Sequence, residues 1–149
     1  MQPLNLPPST FKFKELNGKR AIFDIIRKKY VILTPEEWVR QNFIHFLIES
    51  RQYPKALIKL EFGVKYNELA GRSDITVFDR KGEIFMLVEC KAPHIAVSNE
   101  VFAQASRYNI RLKAKYMVVT NGLLHFCCCI NQAEKKYDFL EDIPSFEFG

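Results

Sequence analysis

The chain has 149 residues, which is the usual size of a single domain. Its 48% hydrophobic and 26% charged residues allow a real core and exclude a mainly disordered chain. The net charge of +5 is a mild bias toward polyanions such as nucleic acid. No apolar run approaches the roughly 18 residues of a membrane span, and no signal peptide is visible. The four cysteines lack zinc-ligand spacing, so we expect buried thiols in a cytoplasmic protein.

The first 33 residues predict an extension that packs on the rest of the chain. Phe11–Leu16 alternates, Asn17-Gly18 is the strongest two-residue hairpin signal, and Lys19–Ile26 follows. We therefore expect a small N-terminal β-hairpin, with the basic cluster Arg27-Lys28-Lys29 beyond it. Residues 34–149 are expected to form one globular unit.

Several independent signals in the sequence predict that a helix begins at Thr34. Thr34 is a good N-cap, Pro35 suits the first helical position, and Glu37 lies three residues after the cap. Apolar residues at helical spacing continue to about Arg51. The position of Glu37 is also that of an ordinary capping-box glutamate.

Three strands follow, and the third is unusual. The segments are Ala56–Tyr66, Arg72–Asp79 and Glu83–Ala92, with a tight turn at Asp79–Gly82. The third is apolar on both faces, so it should be central in a sheet. A second helix from Ser98 to about Lys113 and two more strands, Tyr116–Thr120 and His125–Ile130, complete a mixed α/β sheet flanked by helices.

Charged residues end the apolar third strand in the order Glu89-Cys90-Lys91. Residues two apart on a strand project from the same face, so Glu89 and Lys91 stand side by side. Burying such groups costs free energy unless they are paired or bind a metal. An ion pair at a sheet edge is the simpler explanation of this spacing.

Asp74 lies on the neighbouring strand, and the turn at Asp79–Gly82 pairs it with residues 87 to 89. Two carboxylates so close repel each other when both are ionised, and a divalent cation removes the conflict. Hard oxygen ligands favour Mg²⁺ or Mn²⁺. With Lys91 to hold or deprotonate water, these groups suit metal-assisted hydrolysis of a phosphodiester.

The second helix carries a polar face. Gln104 and Tyr108 are four residues apart, with Arg107 and Arg111 alongside, which suits contacts to a sugar-phosphate backbone. An ordinary solvated face is the alternative. Glu61 lies on the polar face of the first strand, where it either points toward the same site or is an exposed carboxylate.

The ordered set Asp74…Glu89-x-Lys91 and Gln104-x-x-x-Tyr108 resembles the PD-(D/E)xK nuclease superfamily. More narrowly, the chain resembles the N-terminal nuclease domain of the R subunit of type I restriction enzymes. The stretches that carry this narrower resemblance are Thr34–Arg40, Glu61, Arg72–Asp74, Val88–Pro93 and Thr120–Gly122.

The resemblance implies a restriction-endonuclease-like core of α-β-β-β-α-β topology. It implies that Asp74 and Glu89 bind Mg²⁺ or Mn²⁺ with the backbone carbonyl of Cys90, and that Lys91 is the catalytic lysine. The family's glutamine and tyrosine positions correspond to Gln104 and Tyr108, with Arg107 and Arg111 nearby. Its first-helix acid corresponds most simply to Glu37, and an acid often present on the first strand corresponds to Glu61.

Two features differ from the family pattern. Serine rather than proline precedes Asp74, and the 149 residues contain no helicase motor. We therefore expect a stand-alone protein, a fragment, or a component that works with separate restriction or motor subunits.

Three functions remain open at this stage. The leading hypothesis is a metal-dependent DNA endonuclease, acting alone or as a homodimer. The alternatives are a catalytically silent module that binds nucleic acid or a protein partner, and a purely structural domain whose polar residues form ion pairs.

Overall fold

The computed structural model describes residues 1–62 and 73–147, and within these the side chains of residues 73, 104 and 107–111 lie outside the description. Neither of the two α-helices in this part of the chain is long and apolar enough to cross a membrane. In chain order the elements are β1 (Phe13–Leu16), β2 (Lys19–Asp24), β3 (Lys29–Ile32), α1 (Pro35–Glu49), β4 (Ile58–Phe62), β5 (Ser73–Phe78), β6 (Ile84–Cys90), α2 (Asn99–Leu112), β7 (Tyr116–Thr120), β8 (His125–Asn131) and β9 (Lys136–Leu140).

The first three strands form a small antiparallel sheet in the order β1-β2-β3. Asn17 and Gly18 both have positive φ (53° and 77°), which is the backbone of a tight hairpin turn, so the predicted N-terminal hairpin is confirmed. The third strand was not predicted. It begins inside the basic cluster, at Lys29, and pairs along β2 with Phe23 opposite Tyr30.

The main sheet has six strands in the order β4-β5-β6-β7-β8-β9. Strands β6 and β7 are parallel, and every other neighbouring pair is antiparallel. The predicted α-β-β-β-α-β core is confirmed, and β6 lies in the interior of the sheet as its two-sided apolar pattern predicted. Strand β4, which was predicted to begin at Ala56, begins at Ile58 because Lys55–Leu57 forms a 3-10 turn after Pro54. The rest of that predicted strand lies outside the described residues.

Helix α1 covers one face of this sheet. Its N-cap, Thr34, accepts a hydrogen bond from the Glu37 backbone N–H at 3.0 Å, as the sequence predicted. The apolar residues of the helix share one buried cluster with alternate residues of the strands, and its members include Val39, Phe43, Leu47, Ile75, Val77, Met86, Val88 and Val118. Leu87, Met117 and Val119 are also buried, and α2 contacts β6 and β7. Both faces of the central strands are therefore covered.

The first ten residues lie along the molecule as an extended segment. The Asn5 backbone N–H donates to the carbonyl of Gly122 at 2.8 Å, and the Trp38 indole N–H donates to the carbonyl of Gln2 at 2.8 Å. Gly122 has φ of 86°, and a Cβ there would lie 2.8 Å from a methyl group of Leu4. Glycine is therefore required at this turn for both backbone conformation and space.

Candidate active site

The β5–β6 hairpin places Asp74 across from Glu89. Ile75 pairs with Val88 and Thr76 with Leu87, so the register predicted from the turn is confirmed. Directly opposed residues of antiparallel strands project from the same face, which puts the two carboxylates side by side. The Cys90 backbone N–H also donates to Oδ2 of Asp74 at 2.6 Å. This hydrogen bond ties the Asp74 side chain on β5 to the end of β6.

Both carboxyl groups of this pair are difficult to ionise. Burial, followed by the charge of Glu89, raises the pKa of Asp74 to about 8. Burial also raises the pKa of Glu89, although the ammonium group of Lys91 opposes this. The positive charge near the Asp74 and Glu89 carboxyl groups is therefore too small to keep both ionised. A bound cation would lower both pKa values.

Lys91 lies next to this pair, and we call Asp74, Glu89 and Lys91 the hairpin cluster. Its ammonium nitrogen is 3.4 Å from Oε1 of Glu89, and the two side chains are 25% and 30% exposed. The backbone N–H of Lys91 donates to the carbonyl of Thr120 at 2.8 Å, so the residue is anchored to the end of β7. The ion pair between Glu89 and Lys91, which the sequence offered as the simpler explanation of their spacing, is therefore present. It involves one carboxylate only, and Asp74 has no ion-pair partner among the described residues.

Helix α1 brings a further acid to the hairpin cluster, and it is Glu36. The charge of Glu36 raises the pKa values of both Asp74 and Glu89. The resemblance described above assigned the first-helix acid to the neighbouring residue, Glu37. Because successive residues of an α-helix are about 100° apart around its axis, the two glutamates face different neighbours. The adjacent pair Glu36-Glu37 was visible in the sequence, but the phase of the helix against the sheet was not.

Glu37 instead belongs to a network that joins α1 to the N-terminal sheet. Its carboxylate accepts hydrogen bonds from Arg40 at 2.5 and 2.9 Å and from Gln41 at 3.0 Å. Gln41 also donates to Asp24 at 3.1 Å, and Arg27 donates to Asp24 at 2.7 Å. We call these five residues the paired cluster. A supporting role for Glu37 at the candidate site stays a prediction.

The acids of the paired cluster ionise easily despite being buried. Burial raises the pKa of Glu37, but hydrogen bonds and charge from Arg40, with the hydrogen bond from Gln41, bring it below the usual value. The pKa of Asp24 is lowered in the same way, because hydrogen bonds from Arg27 outweigh the effect of burial. These carboxylates have donors enough to be stable as anions without a metal.

Glu61 occupies the register position opposite Asp74 on the other side, since Leu60 pairs with Ile75 and Phe62 with Ser73. Its backbone is in the left-handed region, with φ of 53°, which costs a non-glycine residue about 1 kcal/mol or more. Its carboxylate lies 3.3 Å from Arg40 and 3.9 Å from Arg27. Strands β4, β5 and β6 thus each carry an acid near the same register position, and the carboxylate of the β4 acid contacts the paired cluster.

The predicted nucleic-acid ligands lie on α2. The structure describes the backbone of this helix, while the side chains of Gln104, Arg107, Tyr108 and Arg111 lie outside the described residues. Within residues 1–62 and 73–147, no group of three or more His, Cys, Asp and Glu side chains is arranged to hold a metal ion. Asp74 and Glu89 are two carboxyl groups, which is fewer than such a group contains.

The architecture and the position of the hairpin cluster define an α/β fold of the restriction-endonuclease-like class. A family model described as "Type I restriction enzyme R protein N terminus (HSDR_N)" matches residues 35–144, which is most of the chain. The chain therefore belongs to this family, and the resemblance recognised in its sequence is confirmed. Membership gives it a restriction-related, nuclease-like role. No curated protein matches the chain.

Proposed function

We propose that the chain is a divalent-cation-dependent DNA endonuclease that hydrolyses phosphodiester bonds. The observation that carries the proposal is the pairing of two partly buried carboxyl groups with raised pKa, Asp74 and Glu89, at a strand end beside a partly exposed lysine. The membership of the chain in a restriction-enzyme family supports this reading of the pair over a purely structural one.

The donor set of the hairpin cluster fits Mg²⁺ or Mn²⁺. Asp74 and Glu89 would supply carboxylate oxygens, and the backbone carbonyl of Cys90 at the end of β6 would supply a third. These are hard oxygen ligands of the kind these ions prefer, and burial next to each other leaves both carboxyls in need of positive charge. When bound, the ion would lower the pKa of a water and stabilise negative charge on phosphate oxygens.

Lys91 would position the attacking water and stabilise negative charge that develops on the phosphate. Its ammonium group is held 3.4 Å from Glu89, and its backbone is fixed to β7 through Thr120. Glu36 would add negative charge beside the pair, and Glu61 stays a predicted supporting residue on β4. On α2, Gln104, Tyr108, Arg107 and Arg111 would hold the DNA backbone without reading its sequence.

A plasmid-nicking assay tests this proposal. Wild-type protein should nick supercoiled DNA with Mg²⁺ or Mn²⁺ and stop when a chelator is added. Lys91→Ala should lose at least about a hundredfold in rate while keeping its DNA affinity, because this lysine acts in the chemical step. Lys81→Ala, in the exposed β5–β6 turn, is the matched control and should cut normally. Cleavage that persists in Lys91→Ala, or that ignores the chelator, would contradict the proposal.

A second candidate is a nuclease-fold module that binds DNA or a separate restriction subunit without cutting. The ion pair between Glu89 and Lys91 favours it, because that pair stabilises Glu89 with no metal present. The same assay separates the two functions. Metal-independent DNA binding without nicking in the wild-type protein would support the module and exclude the enzyme.

A further inference from the structure

The net positive charge of the chain is confined to the N-terminal sheet. Residues 12–29 contain seven Lys and Arg but only two Asp and Glu, which gives an excess of five positive charges. The other 131 residues contain fifteen of each sign. The whole net charge of +5 therefore lies on 18 residues, which span β1, β2 and the start of β3.

One face of this sheet packs on helix α1. The ring of Phe13 lies 6.3 Å from that of Trp38, and Asp24 is fully buried where it accepts a hydrogen bond from Gln41. Ile22, opposite Phe13 in the register, is fully buried as well. The residues that alternate with these must project from the other side of the sheet.

That other side carries exposed lysines next to aromatic rings. Its members are Lys12, Lys14, Lys19, Phe23 and Tyr30, which we call the basic outer face. Phe23 and Tyr30 lie 5.2 Å apart between ring centroids. The ammonium group of Lys14 lies 4.3 Å from the Tyr30 centroid, and that of Lys12 lies 5.9 Å from the Phe23 centroid. The rings therefore hold the lysine side chains in place above the sheet.

The lysines of the basic outer face have no ion-pair partner among the residues that the structure describes. Arg27, in the turn between β2 and β3, is different because it contacts Asp24, Glu37 and Glu61. Those contacts attach the sheet to α1 and to β4, next to the strand position of Asp74. Positive charge on the basic outer face is thus unneutralised and fixed in position relative to the candidate active site.

We propose that the basic outer face binds the phosphate backbone of duplex DNA, as a second contact surface in addition to the candidate active site. The choice of DNA rests on the proposed function; the surface itself rests on the charge and geometry given above. Because lysine ammonium groups already lie over the rings of Phe23 and Tyr30, these rings are poorly placed to stack on unpaired bases. Contacts to phosphate, which are independent of sequence, fit the arrangement better.

Fluorescence anisotropy with a labelled duplex, in the presence of a chelator so that no cleavage occurs, tests this proposal on the full chain. Lys12→Gln/Lys14→Gln removes two charges and keeps most of each aliphatic stem. We expect about tenfold weaker binding at low salt, and a slope of log affinity against log salt that is smaller by about 1.8, since each phosphate contact contributes about 0.9. Lys12→Arg/Lys14→Arg should bind within about twofold of the wild-type protein because it keeps the charge.

The matched control removes the same charge elsewhere. Lys135→Gln/Lys136→Gln, at the exposed β8–β9 turn, should change affinity by less than about twofold. An equal loss in this control, or no loss in Lys12→Gln/Lys14→Gln, would overturn the proposal. Tighter binding to phosphatidylserine vesicles than to the duplex at the same ionic strength would overturn the choice of ligand.

The outcome is separable from that of the nuclease proposal. Lys91→Ala should bind the duplex as the wild-type protein does, because Lys91 lies outside the basic outer face. If no variant cuts DNA and Lys12→Gln/Lys14→Gln still weakens binding, the nuclease proposal fails and the basic outer face stands. If cutting occurs normally and that variant binds with unchanged affinity, the reverse holds.

Discussion

Two groups of acids withdrawn from solvent, one buried and one partly buried, differ in how their carboxylate charge is balanced. In the paired cluster, Arg27, Arg40 and Gln41 surround the carboxylates and lower their pKa values despite burial. In the hairpin cluster, the charge of a second carboxylate adds to the effect of burial, so the pKa of Asp74 rises instead. Burial alone therefore does not determine whether an acid is ionised. The number of hydrogen-bond donors and positive charges around the carboxyl group decides its protonation state.

The difference separates a structural site from a candidate functional one. The carboxylates of the paired cluster have their hydrogen-bond partners within the protein, and the cluster connects the N-terminal sheet, α1 and β4. The hairpin cluster has two carboxyl groups and one lysine, so it is short of positive charge. Under the proposed function, a divalent cation from solution supplies the missing positive charge.

The largest expected effect comes from opening the paired cluster. Arg40→Ala leaves Glu37 buried without its main partner, and we expect the free energy of unfolding to fall by about 3–5 kcal/mol. Urea denaturation measures this loss. The double variant Glu37→Gln/Arg40→Met removes both charges and should recover at least half of it. A loss below about 1 kcal/mol in the single variant would show that the network is not structural.

A smaller effect of opposite sign is expected in the hairpin cluster. Because the pKa of Asp74 is raised to about 8 in the folded state, the unfolded chain loses this proton first as pH rises, and stability decreases from about pH 4 to pH 8. Asp74→Asn removes this penalty and can still accept the Cys90 N–H. In the presence of a chelator it should unfold at least about 2–4 °C higher than the wild-type protein at pH 8. Near pH 4 the two should agree.

The acids of the paired cluster have the reverse pH dependence. The pKa values of Asp24 and Glu37 are lowered on folding, so their contribution is present above the unfolded values near pH 4 and is lost as pH falls below them. Thermal melts of Asp24→Asn should therefore differ most from wild type at neutral pH and least in acid. A difference that grows on acidification would contradict this reading of the network.

The smallest effect is expected at the turn after β7, which begins with Asn121. This residue follows Thr120, whose carbonyl accepts the hydrogen bond from the Lys91 backbone N–H. Asn121 accepts from the backbone N–H groups of Leu123 and Leu124 through Oδ1, and its Nδ2 donates to the carbonyl of Ile95 at 2.9 Å. Asn121→Asp keeps the first two bonds and loses the third, which costs about 1 kcal/mol. Amide hydrogen exchange should become faster between residues 91 and 98 and stay unchanged in β1–β3. Uniformly faster exchange would mean that the turn stabilises the whole fold instead.

Local signals in the sequence were enough to predict much of the fold. The cap at Thr34, the Asn17-Gly18 turn and the two-sided apolar strand each have one favourable interpretation, and the β5–β6 turn fixed the register that brings Asp74 to Glu89. Strand β9 was missed because it is exposed along its whole length, so no alternation marks it. Strand β3 was missed because its four residues begin inside a run of basic residues.

The parts of the site that sequence reasoning missed depend on packing. Which of Glu36 and Glu37 acts on the pKa values of the hairpin cluster depends on the rotation of α1 on the sheet, which a single sequence does not encode locally. The grouping of Lys12, Lys14 and Lys19 on one face likewise required the register of β1 and β2. Tertiary contacts, rather than local propensity, determine both the rotation of α1 and the face on which these charges lie.

Isothermal titration with Mn²⁺ tests the central claim, that the hairpin cluster is a cation site, most directly. The wild-type protein should bind one ion per chain, and Glu83→Gln, which changes an exposed carboxylate just before β6, should bind it equally well. Asp74→Asn should show no binding at the same concentrations. Equal binding by Asp74→Asn, or no binding by the wild-type protein, would contradict the account.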